Sequence, residues 1–351
     1  MPAFDVFVNE DGETYRYLIN NAVFKSLIEI VKKDAETGKI IPASGIGFKV
    51  RNTDTGEYIV QHINYPTPVD IDTYYTDSTG KLMLPEALPF GNYEIIEQNT
   101  CYGYVLDSNP VSFKVDGSQT IVTVEKHNTP QKGVIEIAKE GEIFSSVTES
   151  NGIYTPVYKN ENLAYAVFQI YAAEDIATLD GTVRYQQGEL VDEITTGKDG
   201  IAKSKQLYLG KYTVIEKAAP DTFYNPNGQY DVELTHAGQD IKVISTALSV
   251  FNDRQKVSVS LLKELSQDER FKLGINGEIL SVQFGVFASE DINAADGSII
   301  HADGLITHGN CDENGKLTFN CDLPIGFKWY AKEMATDEHY ILSDKKYEFA
   351  T

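Results

Sequence analysis

Three lysines in this chain end faces that otherwise read as core. In Leu27-Ile28-Glu29-Ile30-Val31-Lys32, strand side chains alternate sides with period two, so Ile28, Ile30 and Lys32 share a face. The same parity groups Ile135, Ile137 and Lys139, and again Val257, Val259, Leu261 and Lys263. Glutamates end apolar faces in the same way. Tyr93, Ile95 and Glu97 share parity, as do Tyr212, Val214 and Glu216. The third copy, Gly326 to Glu333, is longer by one residue, which leaves the register of Glu333 open. Asparagines close the pattern: Asn21, Asn128 and Asn252 each stand eleven residues before the next of these lysines. A fixed offset met three times is the signature of a repeat.

Those residue types permit one particular reaction. Burial lowers a lysine's pKa and raises a glutamate's. A neutral amine is a nucleophile, and a protonated glutamate can donate a hydrogen bond to a carboxamide. Held against an asparagine side-chain carbon in a dry core, the amine can displace ammonia and leave an amide between two side chains. Proximity would supply much of the rate. The alternative is a plain buried Lys–Glu ion pair, with asparagine as a strand-end residue.

The elements that must position these groups are short strands and turns. Residues 4–21, Val111–Asn128 and Tyr230–Asn252 read as hairpins, the first two turning at Asp11-Gly12 and Asp116-Gly117. Strands open at Ala43–Phe48, Ala166–Phe168 and Val282–Phe284. Turns follow at Thr76–Lys81, Thr196–Gly200 and Cys311–Lys316. Their Asp, Asn and Gly residues are too few in ligands for an EF-hand loop and read as plain turns. The repeat divides the chain into residues 1–24, the terminal hairpin of a preceding unit; 25–130, a first full unit; 131–254, a second; and 255–351, a third that lacks its last strand.

Composition agrees. Plentiful glycine (27) and tyrosine (21), with no long helical periodicity, point to an all-β chain, and 351 residues suggest two or three domains. A net charge of −22 argues against nucleic acid or an anionic membrane as partner. Cys101, Cys311 and Cys321 form no CxxC pair or Cys/His cluster, so no metal is expected; Cys311 and Cys321 flank a hairpin and could pair, though free thiols are the expectation. The six histidines (His62, His127, His236, His301, His308, His339) show no metal spacing, and no nucleophile elbow is present, so turnover on an outside substrate is not expected. No apolar run is long enough to span a bilayer. Without a signal peptide or sorting signal, the chain reads as an excised piece of something longer.

Lys32-x-Asp34 after an apolar strand, Leu88-Pro89-Phe90-Gly91-Asn92-Tyr93 leading to Glu97, and the closing Asn128-Thr129-Pro130 together resemble the collagen-adhesin B-type (CnaB, or SpaA-like) domains of Gram-positive surface proteins and pilins. The resemblance covers nearly the whole chain and is strongest over residues 25–130. It implies tandem immunoglobulin-like, prealbumin-like β-sandwiches with autocatalytic Lys–Asn isopeptide bonds and no cofactor. Carried over residue by residue, it implies a Lys32–Asn128 bond with Glu97 as catalyst and a Lys139–Asn252 bond with Glu216. Ala218-Ala219-Pro220 also fits the family's pattern after the glutamate. In the third unit Lys263 and Glu333 match but an acceptor is missing; Asn21 is the mirror case, an acceptor without its lysine.

The resemblance implies a stalk segment of a cell-surface adhesin or pilin-like protein, outside the cell, with neighbouring repeats as partners. A binding module is the second reading, in which loops or the segment Tyr154–Tyr171 recognise a host or matrix ligand or a glycan. Exposed aromatic side chains there would support it. A further expectation is that the N-terminal hairpin of one molecule docks on the third unit of another and brings Asn21 to Lys263.

Overall fold

The computed structural model describes residues 12, 14, 22–64, 66–224 and 228–351. Asn21 and the hairpin expected over residues 4–21 therefore lie outside the described residues. Regular structure among the described residues is β-strand throughout, apart from one helical turn at Glu278–Ser281. The chain falls into two compact units, one built on the first repeat and one on the second and third.

In the first repeat, β1 (Lys25–Asp34), β2 (Gly47–Asn52), β3 (Lys81–Met83), β4 (Gly91–Asn99), β5 (Val111–Val115) and β6 (Ile121–Asn128) form two facing sheets. One has the order β6-β1-β3; the other runs Tyr74–Tyr75, β2, β4, β5. Period-two alternation turns Ile28, Ile30, Phe48, Val50, Tyr93, Ile95 and Val124 into the space between them, where they form one core. First and last strands lie side by side and parallel, with Lys32 opposite Lys126 and Asp34 opposite Asn128.

The second repeat repeats the plan with β7 (Lys132–Ser150), β8 (Ile153–Asn162), β9 (Val167–Ala172), β10 (Leu190–Thr195), β11 (Ile201–Lys203), β12 (Gly210–Ala218), β13 (Gln229–Leu234) and β14 (Val243–Arg254). Here β14 runs parallel to β7 and β11 antiparallel to its other edge, facing the sheet β10-β9-β12-β13. Lys139 stands opposite Val250 and Gly141 opposite Asn252, so the asparagine again lies two residues beyond the lysine's neighbour.

Unlike the first strand of the first repeat, β7 continues well past its lysine and pairs with β8 as a long hairpin. Phe144, Val147 and Tyr154 of that hairpin pack into the core of the third repeat. That core is built on β15 (Ser260–Leu262), β16 (Gln283–Ala288), β17 (Leu305–Asn310), β18 (Lys316–Thr318), β19 (Lys328–Ala335) and β20 (Lys346–Ala350). The sheet β17-β16-β19-β20 joins the hairpin through a parallel bridge at Ile153 and Leu305. β15 pairs with β18, and among the described residues nothing pairs with its other edge.

Candidate cross-linking sites

Each lysine is placed by its own strand and by a turn. The backbone N–H of Lys32 donates to Gly80 O at 2.9 Å, that of Lys139 to Gly200 O at 2.8 Å and that of Lys263 to Gly315 O at 2.8 Å. All three glycines have φ between 71° and 76°. A Cβ at Gly80 would lie 1.9 Å from Ile41 O, and one at Gly315 would lie 2.0 Å from Lys263 O. Only glycine combines that left-handed backbone with so close an approach. These are the turns the sequence marks by their Asp, Asn and Gly residues, and their task is to dock the lysine strand. Among the described residues no cluster of His, Cys, Asp or Glu could hold a metal ion.

Each glutamate is placed by a strand pair with a local irregularity. Glu97 pairs with Phe48, Glu216 with Phe168 and Glu333 with Phe284, and each pair sits at a shift in register, one residue after Gly47, Val167 and Gln283 respectively. Bulges of this kind re-aim side chains. The extra residue of the third copy is taken up before β19 begins, so Glu333 keeps the register of the other two. Its second oxygen is held alike as well. Glu97 Oε2 accepts from the Asp107 N–H at 3.2 Å, and Glu333 Oε2 from the Ser343 N–H at 3.1 Å.

In the first repeat the three groups meet in a closed core. Lys32, Glu97 and Asn128 are each at most 1% exposed. The Lys32 Nζ donates to Asn128 Oδ1 and to Lys126 O (3.4 Å), and lies 3.2 Å from Glu97 Oε1. Asn128 Nδ2 donates to Glu97 Oε2 at 2.9 Å, with Thr100 Oγ1 and Val105 O each 2.8 Å away. Glu97 thus bridges the lysine nitrogen and the carboxamide nitrogen. Burial pulls the Lys32 pKa down to about 8, against the opposing pull of Glu97. Burial thus favours the neutral amine that a nucleophilic attack needs.

That arrangement suits one reaction. In it the Nζ lone pair would attack Asn128 Cγ to form an Nζ–Cγ bond. Glu97 would take a proton from Nζ at one oxygen and supply one to Nδ2 at the other. The Cγ–Nδ2 bond would break with loss of ammonia and no net change at the carboxyl.

The second repeat holds the same groups in a looser arrangement. Lys139 and Asn252 are each 1% exposed, and Asn252 Nδ2 donates to Glu216 Oε1 at 2.8 Å. The Lys139 Nζ donates to Val250 O (3.4 Å), the equivalent of Lys126 O, and to Glu140 O (3.1 Å). Burial brings the Lys139 pKa to about 8, with Glu216 opposing. In the third repeat Lys263 lies 3.1 Å from Glu333 Oε1, with its side chain 24% exposed where that of Lys32 is fully covered. Asn21 is outside the described residues.

One residue escaped the sequence reading. Lys126 is 1% exposed and donates to Asp107 Oδ2 (2.9 Å) and Asn109 O (2.7 Å) beside the first site. Its parity with Val122, Val124 and Asn128 is the signal that marks it as inward-facing. The tyrosines expected in a ligand-binding segment are mostly half-buried. Tyr154 stands edge-on to His301, the Tyr158 hydroxyl donates to Asp322 O at 3.0 Å, and among Tyr154, Tyr158, Tyr165 and Tyr171 only Tyr165 is exposed. The three cysteines are free thiols. No helix among the described residues is long and apolar enough to cross a membrane.

Comparison with known proteins agrees with this architecture. No curated protein matches the chain. Its fold is similar to that of the Bacillus anthracis TIE protein, at 22% identity and a TM-score of 0.56; the match covers 93% of this chain and 48% of that one, so the chain spans about half its length. Looser matches are to BcpA, the major pilin subunit of Bacillus cereus (16% identity, TM-score 0.32, covering 93% of this chain and 95% of that one). Another is a C-terminal fragment of the pilus adhesin SpaC from Lactobacillus rhamnosus GG (17%, TM-score 0.35, covering 67% and 99%). The model of the SpaA prealbumin-like fold domain matches residues 26–130 and 155–247, more than half of the sequence. The chain belongs to that family and carries two copies of its domain in tandem.

Proposed function

We propose that the chain is a load-bearing stalk segment of a Gram-positive cell-surface adhesin or pilin-like protein, exposed outside the cell. Its first two repeats are locked by amide bonds from Lys32 to Asn128 and from Lys139 to Asn252, formed once each with Glu97 and Glu216 as proton carriers. The observation that carries this reading is the buried contact of Lys32, Glu97 and Asn128 on adjacent parallel strands, the first and last of the repeat.

The bond's value follows from where it sits. It closes a loop of 96 residues, which on the chain-entropy model for cross-links restricts the unfolded state by about 4–5 kcal/mol. An amide also survives reduction. If tension enters a repeat at its first strand and leaves at its last, the link between those strands carries it and the sandwich need not open, which is stability of the kinetic kind. Ligand recognition by the segment Tyr154–Tyr171 is not favoured, since of its tyrosines only Tyr165 is exposed, Tyr154 standing against His301 and Tyr158 bonded to Asp322 O.

The test is the intact mass of the reduced, denatured chain, with single variants to assign each bond. Asn128→Ala and Asn252→Ala should each restore one ammonia's worth of mass beyond the substitution itself. A full calculated mass for the unaltered chain would refute the reading.

A further inference from the structure

Beside the first site lies a second buried lysine that the proposed reaction leaves unused. Lys126 stands opposite Lys32 on the neighbouring parallel strand, and its side chain is 1% exposed. A buried ammonium is costly unless it is paired and hydrogen-bonded. Its Nζ donates to Asp107 Oδ2 at 2.9 Å and to Asn109 O at 2.7 Å, both in the loop between β4 and β5. That loop covers the reacting groups. The Asp107 N–H donates to Glu97 Oε2 at 3.2 Å, and Val105 O accepts from Asn128 Nδ2 at 2.8 Å. Asp107 therefore holds Lys126 through its carboxylate and Glu97 through its backbone. Tyr104 ties the same loop from the other side, its hydroxyl donating to Asp34 Oδ2 at 2.8 Å.

In the second repeat the matching positions carry no polar side chain. Val250 stands opposite Lys139 as Lys126 does opposite Lys32, and Gly141 opposite Asn252 as Asp34 does opposite Asn128. Phe223 pairs with Arg254, two residues beyond Asn252, as Tyr104 pairs with Pro130, two beyond Asn128. There the lysine nitrogen rests on two backbone oxygens, Glu140 O and Val250 O, whereas Lys32 Nζ lies on Asn128 Oδ1 and 3.2 Å from Glu97. We infer that Lys126 is a positioning residue of the first site: acting through Asp107, it holds residues 105–109 against the Glu97 carboxyl and the Asn128 carboxamide and so speeds their reaction with Lys32. The gain in rate rests on the amide-forming reading above. A charge-assisted hydrogen bond holds the loop more firmly than a neutral one, and small displacements of a reacting group cost much rate.

Two full-length variants test this. Lys126→Met removes the charge and keeps a long side chain; Asp107→Ala removes a carboxylate from a side chain that is 40% exposed and keeps the N–H. Each chain is made by cell-free synthesis and quenched in denaturant at intervals, and fragment spectra give the joined fraction in each repeat. Each variant should join Lys32 to Asn128 about ten- to a hundredfold more slowly, with the Lys139–Asn252 bond as an unchanged internal control. The double variant should be no slower than the slower single one, because the two residues act as one unit. In Lys126→Met the Asp107 amide proton should also shift and exchange faster, while the amides of β1 and β6 keep their protection. An unchanged rate in the first repeat, or equal slowing in both repeats, would overturn the inference. Should Lys126→Met fail to fold, Asp107→Ala decides by the same rates. If the unaltered chain shows no ammonia deficit, the amide-forming reading fails by itself. The Asp107 amide of Lys126→Met then decides, a shifted and faster-exchanging proton supporting the positioning and an unchanged one overturning it.

Discussion

At the residue scale two opposing effects act on Lys32 and Lys139. Burial disfavours the ammonium, and the neighbouring carboxylate favours it; burial dominates, and the Lys32 and Lys139 values fall to about 8. Glu97 contacts both Lys32 Nζ and Asn128 Nδ2, so on the proposed chemistry Glu97→Ala should leave Lys32 and Asn128 unjoined and raise the intact mass by one ammonia relative to the substituted calculated mass with both bonds. Glu216→Ala should do the same for the second repeat. A pH dependence follows in a chain that cannot react. In Asn128→Ala the unfolded lysine titrates near its ordinary 10.5 and the folded one near 8, so between those values the unfolded state binds more protons and stability rises with pH. Urea midpoints for this variant should increase from pH 8 to pH 10, by at most about 3 kcal/mol in free energy. A flat or falling profile would mean that Lys32 stays charged in the fold.

Strands and turns decide whether those residues meet. The alternation that places Lys32, Glu97 and Asn128 inward was legible in the sequence, because period-two parity needs no knowledge of partners. The resemblance supplied which lysine goes with which asparagine. Neither showed the bulge beside each glutamate, since a register shift is a property of two strands together. Nor did they show that the hairpin β7–β8 reaches into the third core, because an apolar face says that it is covered and not by what. The sequence marks the turn glycines only as turn-formers; their close approach to the neighbouring strand emerges from the fold. Gly80→Ala would strain a left-handed backbone and drive a Cβ into Ile41 O, and should cost at least about 1–3 kcal/mol by chemical denaturation while slowing the first cross-link. At the junction of the second and third repeats, Arg254 is buried over Tyr158, 3.6 Å from the ring centroid, with its Nε on Glu142 at 2.8 Å and a further contact to Asp322. Its removal strands those carboxylates, so Arg254→Ala should speed amide hydrogen exchange along residues 140–162 while leaving the first repeat unchanged.

At the scale of the whole molecule, contacts within repeats and between sequential ones give a chain of tandem sandwiches its stability. The proposed covalent closure of the first two repeats would remove the route by which force or a protease opens them. Lys32→Arg and Lys139→Arg together should therefore leave a chain that folds yet is cut by protease far faster than the unaltered one, in proportion to the populated open state. The intact mass of the denatured, reduced chain decides whether the two proposed amide bonds exist. A deficit of two ammonia molecules is expected, with fragment spectra joining Lys32 to Asn128 and Lys139 to Asn252. The full calculated mass would contradict it and leave two buried ion pairs in ordinary sandwiches.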